Sequence, residues 1–349
     1  MSVEKSLFGK TKDGREVYSF CITNSNDMSI CVISFGAILK NVLIPVDGKK
    51  DVVLGYDNLE EYLINESCFG ATIGPVCNRT EKGTFELDGK VFNLAVNDRG
   101  INNLHTDLEN GFHKRVWDFK EIQNGVIFSL KKKNMEMGHP GNIDVSVTYT
   151  LTDDNEIVIE YHGESDSKTI LNMTNHSYFN LQGVSSSSIL DTDLTINGDK
   201  LVEIREDAIP TGSLKEVKNT PFDFTKSKLI SEDISDEEDD QIRIAGGYDH
   251  NYCINEWKND GHLLFAASAK DSKSGISMDT YTTMPGVQFY SGNFIGENMG
   301  KEGFANGKRK GFCLETQYFP NSAADTRFFR PICEPGRDYN EKTVYKFSW

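Results

Sequence analysis

From Ile143 to Tyr161 the chain reads IDVSVTYTLTDDNEIVIEY. Ile143, Val145, Val147, Tyr149 and Leu151 alternate with Asp144, Ser146, Thr148 and Thr150, the period-two pattern of a strand with one buried face. Asp153, Asp154 and Asn155 form a turn, and Ile157 to Tyr161 resumes the pattern, so the segment predicts a β-hairpin. Similar runs recur at Ser29–Phe35, Gly83–Leu94, Gly125–Leu130, Asp191–Ile196, Leu263–Ala269 and Ile276–Thr282. Turn formers such as Asp47-Gly48, Asp88-Gly89 and Asn197-Gly198 separate them. Helical periodicity is scarce. Its best instance is Asp57 to Glu66, with Asp57 as the expected N-cap and Leu59, Tyr62 and Leu63 on one face. Many short strands with very little helix predict an all-β fold, a large antiparallel β-sandwich.

The chain has 349 residues, and 37 basic against 53 acidic side chains give a net charge of −16. A surplus of acid argues against nucleic acid and anionic membranes as partners, because both select Lys and Arg for their phosphates. The greasiest stretch, Ile30 to Val46, is broken by Lys40 and Asn41 and falls short of the ~18 apolar residues of a membrane span. The first residues carry early charges and no apolar run, so no secretory signal is expected. The seven cysteines are odd in number, sparse and never spaced CxxC, which predicts neither a disulfide framework nor a zinc site. A reducing cytoplasm is the expected location. The length would allow two domains, but no linker or repeat marks a boundary, so residues 1–349 are read as one β domain. The acidic block Ser231 to Gln241, SEDISDEEDDQ, is expected to be a solvated loop.

Three segments place polar residues among aromatics and glycines. They are GATIGPVCNR (70–79) followed by Asn102-Asn103-Leu104-His105; NMTNHSYFNLQG (172–183); and Gly247-Tyr248-Asp249-His250-Asn251 with GFCLETQYFPN (311–321). Together they form an inventory of sugar-binding chemistry. Hydroxyls, each donor and acceptor, suit Asn, Gln, Asp, Arg and His, while the C–H faces of a pyranose suit aromatics such as Tyr178, Phe179, Phe289 and Tyr318. Glu315 is the most telling residue, since a carboxylate amid apolar strand residues is paired or functional.

On these residues the chain resembles the aldose 1-epimerases, the galactose mutarotase family. The matching stretches are Asn78-Arg79 with Gly83-x-Phe85 and Leu87-Asp88-Gly89; Asn103-Leu104-His105 with Gly111-Phe112 and Val116-Trp117; and Asn175-His176-Ser177-Tyr178-Phe179-Asn180-Leu181. Tyr248-Asp249-His250-Asn251, Pro285 to Tyr290, Leu314-Glu315-Thr316-Gln317 and Pro335-Gly336 through Tyr345 follow in family order, covering about Phe35 to Phe347. The resemblance implies the mutarotase-type supersandwich, with an open cleft. It implies Glu315 as catalytic base, His176 as catalytic acid and His105 as a second active-site histidine. Asn78, Arg79, Asp249 and Gln288 correspond to sugar-hydroxyl ligands, with no metal and no cofactor. Free hexoses such as galactose and glucose are the implied substrates, and the chain is a monomer or homodimer. Three departures stand out: Thr106-Asp107 where the family usually has two glycines, Pro75-Val76-Cys77 before Asn78-Arg79, and Asn321 where an acid is usual.

Anomer exchange needs a base for the C1 hydroxyl and an acid for the ring oxygen, expected on opposite sides of the ring. An ionised Glu315 suits the first. Nearby anions are expected to raise the pKa of His176, giving a bell-shaped pH profile with a Glu limb on the acid side and a His limb on the alkaline side. His250 is expected to orient Asp249. The rival readings are a glycoside hydrolase using Asp249 and Glu315, a sugar-binding module without turnover, and an epimerase of a phosphorylated hexose. The last would want basic clusters such as Lys308-Arg309-Lys310 or Arg327 and Arg330, which lie outside the site motifs.

Overall fold

The computed structural model describes residues 2–349. The Ile143–Leu151 and Glu156–Ser165 strands pair antiparallel with Leu151 opposite Ile157 and Val147 opposite Tyr161, as the alternation predicts. Asn155 takes the left-handed conformation that closes the turn (φ 61°). The hairpin lies inside a nine-stranded antiparallel sheet, flanked by the Gly125–Lys132 and Tyr339–Ser348 strands. Two five-stranded antiparallel sheets accompany it. One runs from Ser2–Lys10 to Lys50–Asp51. The other is ordered Pro210–Glu216, Lys200–Ile204, Asp249–Cys253, Gly286–Tyr290, Cys313–Gln317. Phe128, Val147, Tyr149, Ile159 and Tyr345 of the large sheet share one buried core with Phe20, Ile30 and Val42 of the first smaller sheet. Tyr252, Val287, Phe289 and Leu314 of the second complete it. The fold is therefore a sandwich of antiparallel sheets, with two short α-helices among the described residues.

Three local expectations are corrected. The first helix is Leu59–Ile64, and Asn58, not Asp57, is its N-cap, accepting from the Glu61 N–H. Asp57 instead accepts from the backbone N–H of Glu302 at 2.8 Å. The acidic block does not end as loop. Asp239 caps the Asp240–Ala245 helix, and buried Gln241 exchanges two hydrogen bonds with the Ile204 backbone. Where the cysteine pattern suggested no disulfide framework, Cys21 and Cys31 stand opposite each other in strand register and are bonded as a disulfide, while Cys68, Cys77, Cys253, Cys313 and Cys333 are free. Sequence spacing is silent here because the register of two strands, not the intervening count, makes them neighbours. Among the described residues no helix is long and apolar enough to cross a membrane.

A buried ion pair ties the cleft-forming loop to the first sheet. Lys301, 2% exposed, donates to Asp51 Oδ2 (2.8 Å), to Val53 O (2.8 Å) and to Lys40 O. Losing the ammonium leaves the buried Asp51 carboxylate without its counter-charge, a loss of about 3–5 kcal/mol for one member of a buried pair. Lys301→Ala is expected to lower the midpoint of urea unfolding by a corresponding amount. A shift of a few tenths of a kcal/mol would show that the loop is held elsewhere.

Candidate active site

Strand alternation builds the floor of the site. In Cys313–Gln317, Leu314 turns to the core and Thr316 meets Thr343, so Cys313, Glu315 and Gln317 share the opposite face. Gln288 stands opposite Glu315, Asn251 opposite Gln288, and Asp249 opposite Tyr290. His176 ends the Thr174–His176 strand, which pairs with Ala71–Ile73. Arg79 and Leu104 face each other in a two-residue ladder that brings the Asn78-Arg79 and His105 segments together.

These elements enclose a cleft of about 370 Å³ lined by Asn78, Arg79, His105, His176, Asp249 and Glu315. Six of the seven sequence-predicted site residues thus converge. The seventh, Gln288, is buried beside Glu315 on the same face of the sheet, and its Nε2 donates to Asp249 Oδ1 at 2.7 Å, which steadies that carboxylate. Asp249 also faces Arg79 Nη1 at 3.9 Å, and Arg79 Nε donates to Asp98 Oδ2 at 3.1 Å. Burial pushes the Asp249 carboxyl above its ordinary range, against the pull of Arg79 and Gln288.

The histidines differ in wiring. The Asn78 backbone N–H donates to His105 Nδ1 (3.1 Å), and the His105 backbone N–H donates to Asn78 O (3.0 Å). Nδ1 is therefore an acceptor, and the neutral ring carries its proton on Nε2. Burial, with the His176 charge next, holds the His105 pKa well below the usual imidazole range, which keeps it a neutral donor. His176 stacks on Tyr178 (centroids 5.0 Å, planes 21° apart) and meets the His105 ring edge-on at 5.4 Å. Its Nε2 is 3.6 Å from Glu315 Oε2, and its Nδ1 is 3.6 Å from Cys313 Sγ.

Glu315, 3% exposed, keeps Oε2 without a hydrogen-bond partner among the described residues. Burial pushes its pKa well above the usual carboxylate range, Asp249 adds to this, and Arg79 opposes it. The expectation that carboxylates raise His176 is overturned. Burial dominates and pulls its pKa down to about 4. Glu315 and His176 lie side by side on the cleft floor.

Backbone strain collects at the same place. Cys68, Asn78, His105 and Thr106 all sit at positive φ, 55–64°, which non-glycine residues adopt at a cost of order 1–3 kcal/mol each. Thr106 is β-branched as well, and its use in place of glycine has a visible reason. Its hydroxyl donates to Val76 O (2.9 Å) and accepts from Val76 N–H (3.0 Å), so two departures from the family pattern, Thr106 and Val76, clasp each other. The third, Asn321, accepts from the Glu81 N–H at 2.9 Å.

Of the expected aromatic walls, Tyr178 lines the cleft. Phe179 and Phe289 are fully buried on the core side, and Tyr318 donates to Glu341 away from it. His250 does not orient the Asp249 carboxylate; its ring packs on Phe222 (4.6 Å) and only accepts the Asp249 backbone N–H at 3.3 Å. Sequence reading missed Tyr290, Phe294, Cys68 and Asn298 in the cleft wall. Tyr290 was findable, two residues beyond Gln288 and therefore on the same face. Phe294, 68% exposed at the mouth, follows the strand in a loop and carries no periodic signal.

The aldose 1-epimerase family model matches residues 18–346. A galactose mutarotase from Sus scrofa is 38% identical over 100% of this chain and 99% of its own. An aldose 1-epimerase from Escherichia coli (strain K12) is 35% identical over 96% of both. Among solved structures, an aldose epimerase homologue from C. elegans superposes with a TM-score of 0.85 at 28% identity, covering 95% of this chain and 99% of that one. Galactose 1-epimerase from Lactobacillus acidophilus NCFM gives 0.85 at 25% identity over 99% of each.

Proposed function

The chain belongs to the aldose 1-epimerase family, and from that premise we propose that it is a mutarotase interconverting the α and β anomers of free hexoses such as galactose and glucose, with Glu315 as base and His176 as acid. One observation carries the assignment. A buried carboxylate oxygen without a protein partner, Glu315 Oε2, lies 3.6 Å from the imidazole nitrogen His176 Nε2 at the cleft floor. The two reacting oxygens of a pyranose, the C1 hydroxyl and the ring oxygen, are bonded to the same carbon. A base and an acid that are close neighbours fit such a pair.

In the forward half-reaction Glu315 takes the C1 hydroxyl proton while protonated His176 gives its Nε2 proton to the ring oxygen. The O–H electron pair forms the C1 carbonyl, and the C1–ring-oxygen bond breaks with its electrons on the ring oxygen. Rotation about C1–C2 presents the other carbonyl face, and the same two transfers run backwards. Neutral His105, with Nε2–H as donor, suits a hydrogen bond to the C1 oxygen as the carbonyl forms. Arg79, Asn78 and Asp249 suit the ring hydroxyls, with Gln288 acting through Asp249.

Polarimetry on freshly dissolved α-D-galactose and α-D-glucose tests the reading. The rotation is expected to reach equilibrium faster with protein in proportion to its concentration. Decay at the spontaneous rate on both sugars would reduce the site to a binding module for these substrates.

A further inference from the structure

Proton traffic at Nε2 leaves the other nitrogen of His176 to be accounted for. An imidazole can hold its single proton on either nitrogen, and which one is set by the partner of the other. Nδ1 lies 3.6 Å from Cys313 Sγ on one side, and Nε2 lies 3.6 Å from Glu315 Oε2 on the other. Cys313 and Glu315 are two residues apart on one strand, so they point to the same face, and each meets a different nitrogen of the ring. Cys, His and Glu are all metal-ligating types. One ligand atom of each lies within 4.8 Å of the other two, so the edge of the ring that carries both nitrogens faces the strand.

We propose that Cys313 is a positioning residue for the mutarotase reaction: its sulfur accepts the Nδ1–H of His176 and so reserves Nε2 for giving and taking the proton. The inference rests on the reading of Glu315 and His176 as base and acid, and adds the group that fixes the acid's tautomer.

The choice of sulfur is chemically specific. A carboxylate at this position would stabilise the imidazolium and weaken it as an acid, besides placing a second negative charge near Glu315. A thiol accepts weakly and stays neutral, because burial pushes the Cys313 pKa well above its ordinary value. The ring is oriented without being made reluctant to part with its proton. The other titratable groups in contact with it are Tyr178, stacked on its face, and His105 at its edge, besides Glu315 itself.

Cys313→Ala and Cys313→Ser, followed by polarimetry across pH and by ¹⁵N spectra of histidine-labelled protein, test this. Cys313→Ala is expected to lower kcat about tenfold, the scale of one lost hydrogen bond to a charged group, with KM nearly unchanged. Cys313→Ser, whose hydroxyl can also accept, is expected to recover part of the loss. The His176 signal, assigned by its disappearance in His176→Asn, is expected to show a protonated Nδ1 in the wild type. It should show a mixture of tautomers in Cys313→Ala. An unprotonated Nδ1 in the wild-type neutral ring would overturn the proposal without reference to any variant, even one that folds poorly. So would a Cys313→Ala enzyme of wild-type kcat beside a His176→Asn enzyme slowed about 10²–10⁴-fold. Wild-type turnover by His176→Asn would instead remove the acid assignment on which the proposal stands.

Discussion

Glu315→Gln is expected to lower kcat about 10²–10⁴-fold, the usual worth of a positioned general base, while galactose binding is largely kept. The amide has the same shape, leaves the Cys313–Gln317 strand in register and still offers an oxygen to the C1 hydroxyl, but cannot take its proton. The same substitution is expected to leave stability at neutral pH equal or improved. The Glu315 carboxyl has a folded-state pKa raised above its unfolded value of about 4.5, so the folded state binds the proton more tightly than the unfolded one. Its contribution to stability is fully present at low pH and is lost as pH rises from the unfolded value towards the raised one. Glutamine has no such loss. The melting temperature of the variant should therefore meet or exceed that of the wild type at pH 7, with the difference shrinking below about pH 4.5. A variant within tenfold of wild-type kcat would remove Glu315 as base. A variant that melts well below the wild type at pH 7 would show that the carboxylate is structural.

That contrast between a costly residue and a useful one bears on what could be read from the chain. Ile143 to Tyr161 declares its hairpin because period-two alternation is a local property. The Asn-His-Ser-Tyr-Phe-Asn-Leu and Leu-Glu-Thr-Gln blocks declare the site because catalytic residue types are tied to particular neighbours. What eluded reading depends on contacts between distant strands. Gln288 was legible as a polar strand residue. That its amide braces Asp249 follows from the sheet, where it stands between Glu315 and Asn251 on neighbouring strands, within reach of the Asp249 carboxylate. Phe179 and Phe289 looked like sugar-stacking aromatics, yet alternation turns both to the core. The pKa of His176 was misjudged for a related reason: charges can be counted in a sequence, but desolvation cannot, and desolvation is the larger effect.

That correction changes who owns each limb of the pH profile. The Glu315–His176 pair holds two protons at low pH (net +1), one in between (net 0) and none at high pH (net −1). Burial disfavours both charged totals. It strips the imidazolium near pH 4 when the carboxyl beside it is neutral, and holds the carboxyl proton well above its usual range when the imidazole is neutral. The one-proton form therefore spans the neutral range. Its reactive arrangement, carboxylate with imidazolium, is a tautomer whose share does not vary with pH. Wild-type kcat/KM, after subtraction of the spontaneous rate, is expected to show a broad-topped bell. The acid limb lies near pH 4 and reports the second proton, and the alkaline limb falls as the pair loses its last one. In His176→Asn only Glu315 titrates, and a base works only when ionised. Residual activity, expected about 10²–10⁴-fold below wild type, should therefore rise with pH across the range where the wild type declines. Had the histidine simply owned the alkaline limb, its removal would flatten that limb but could not invert it. A variant that keeps the wild-type bell would show that the single shared proton does not reside on this pair.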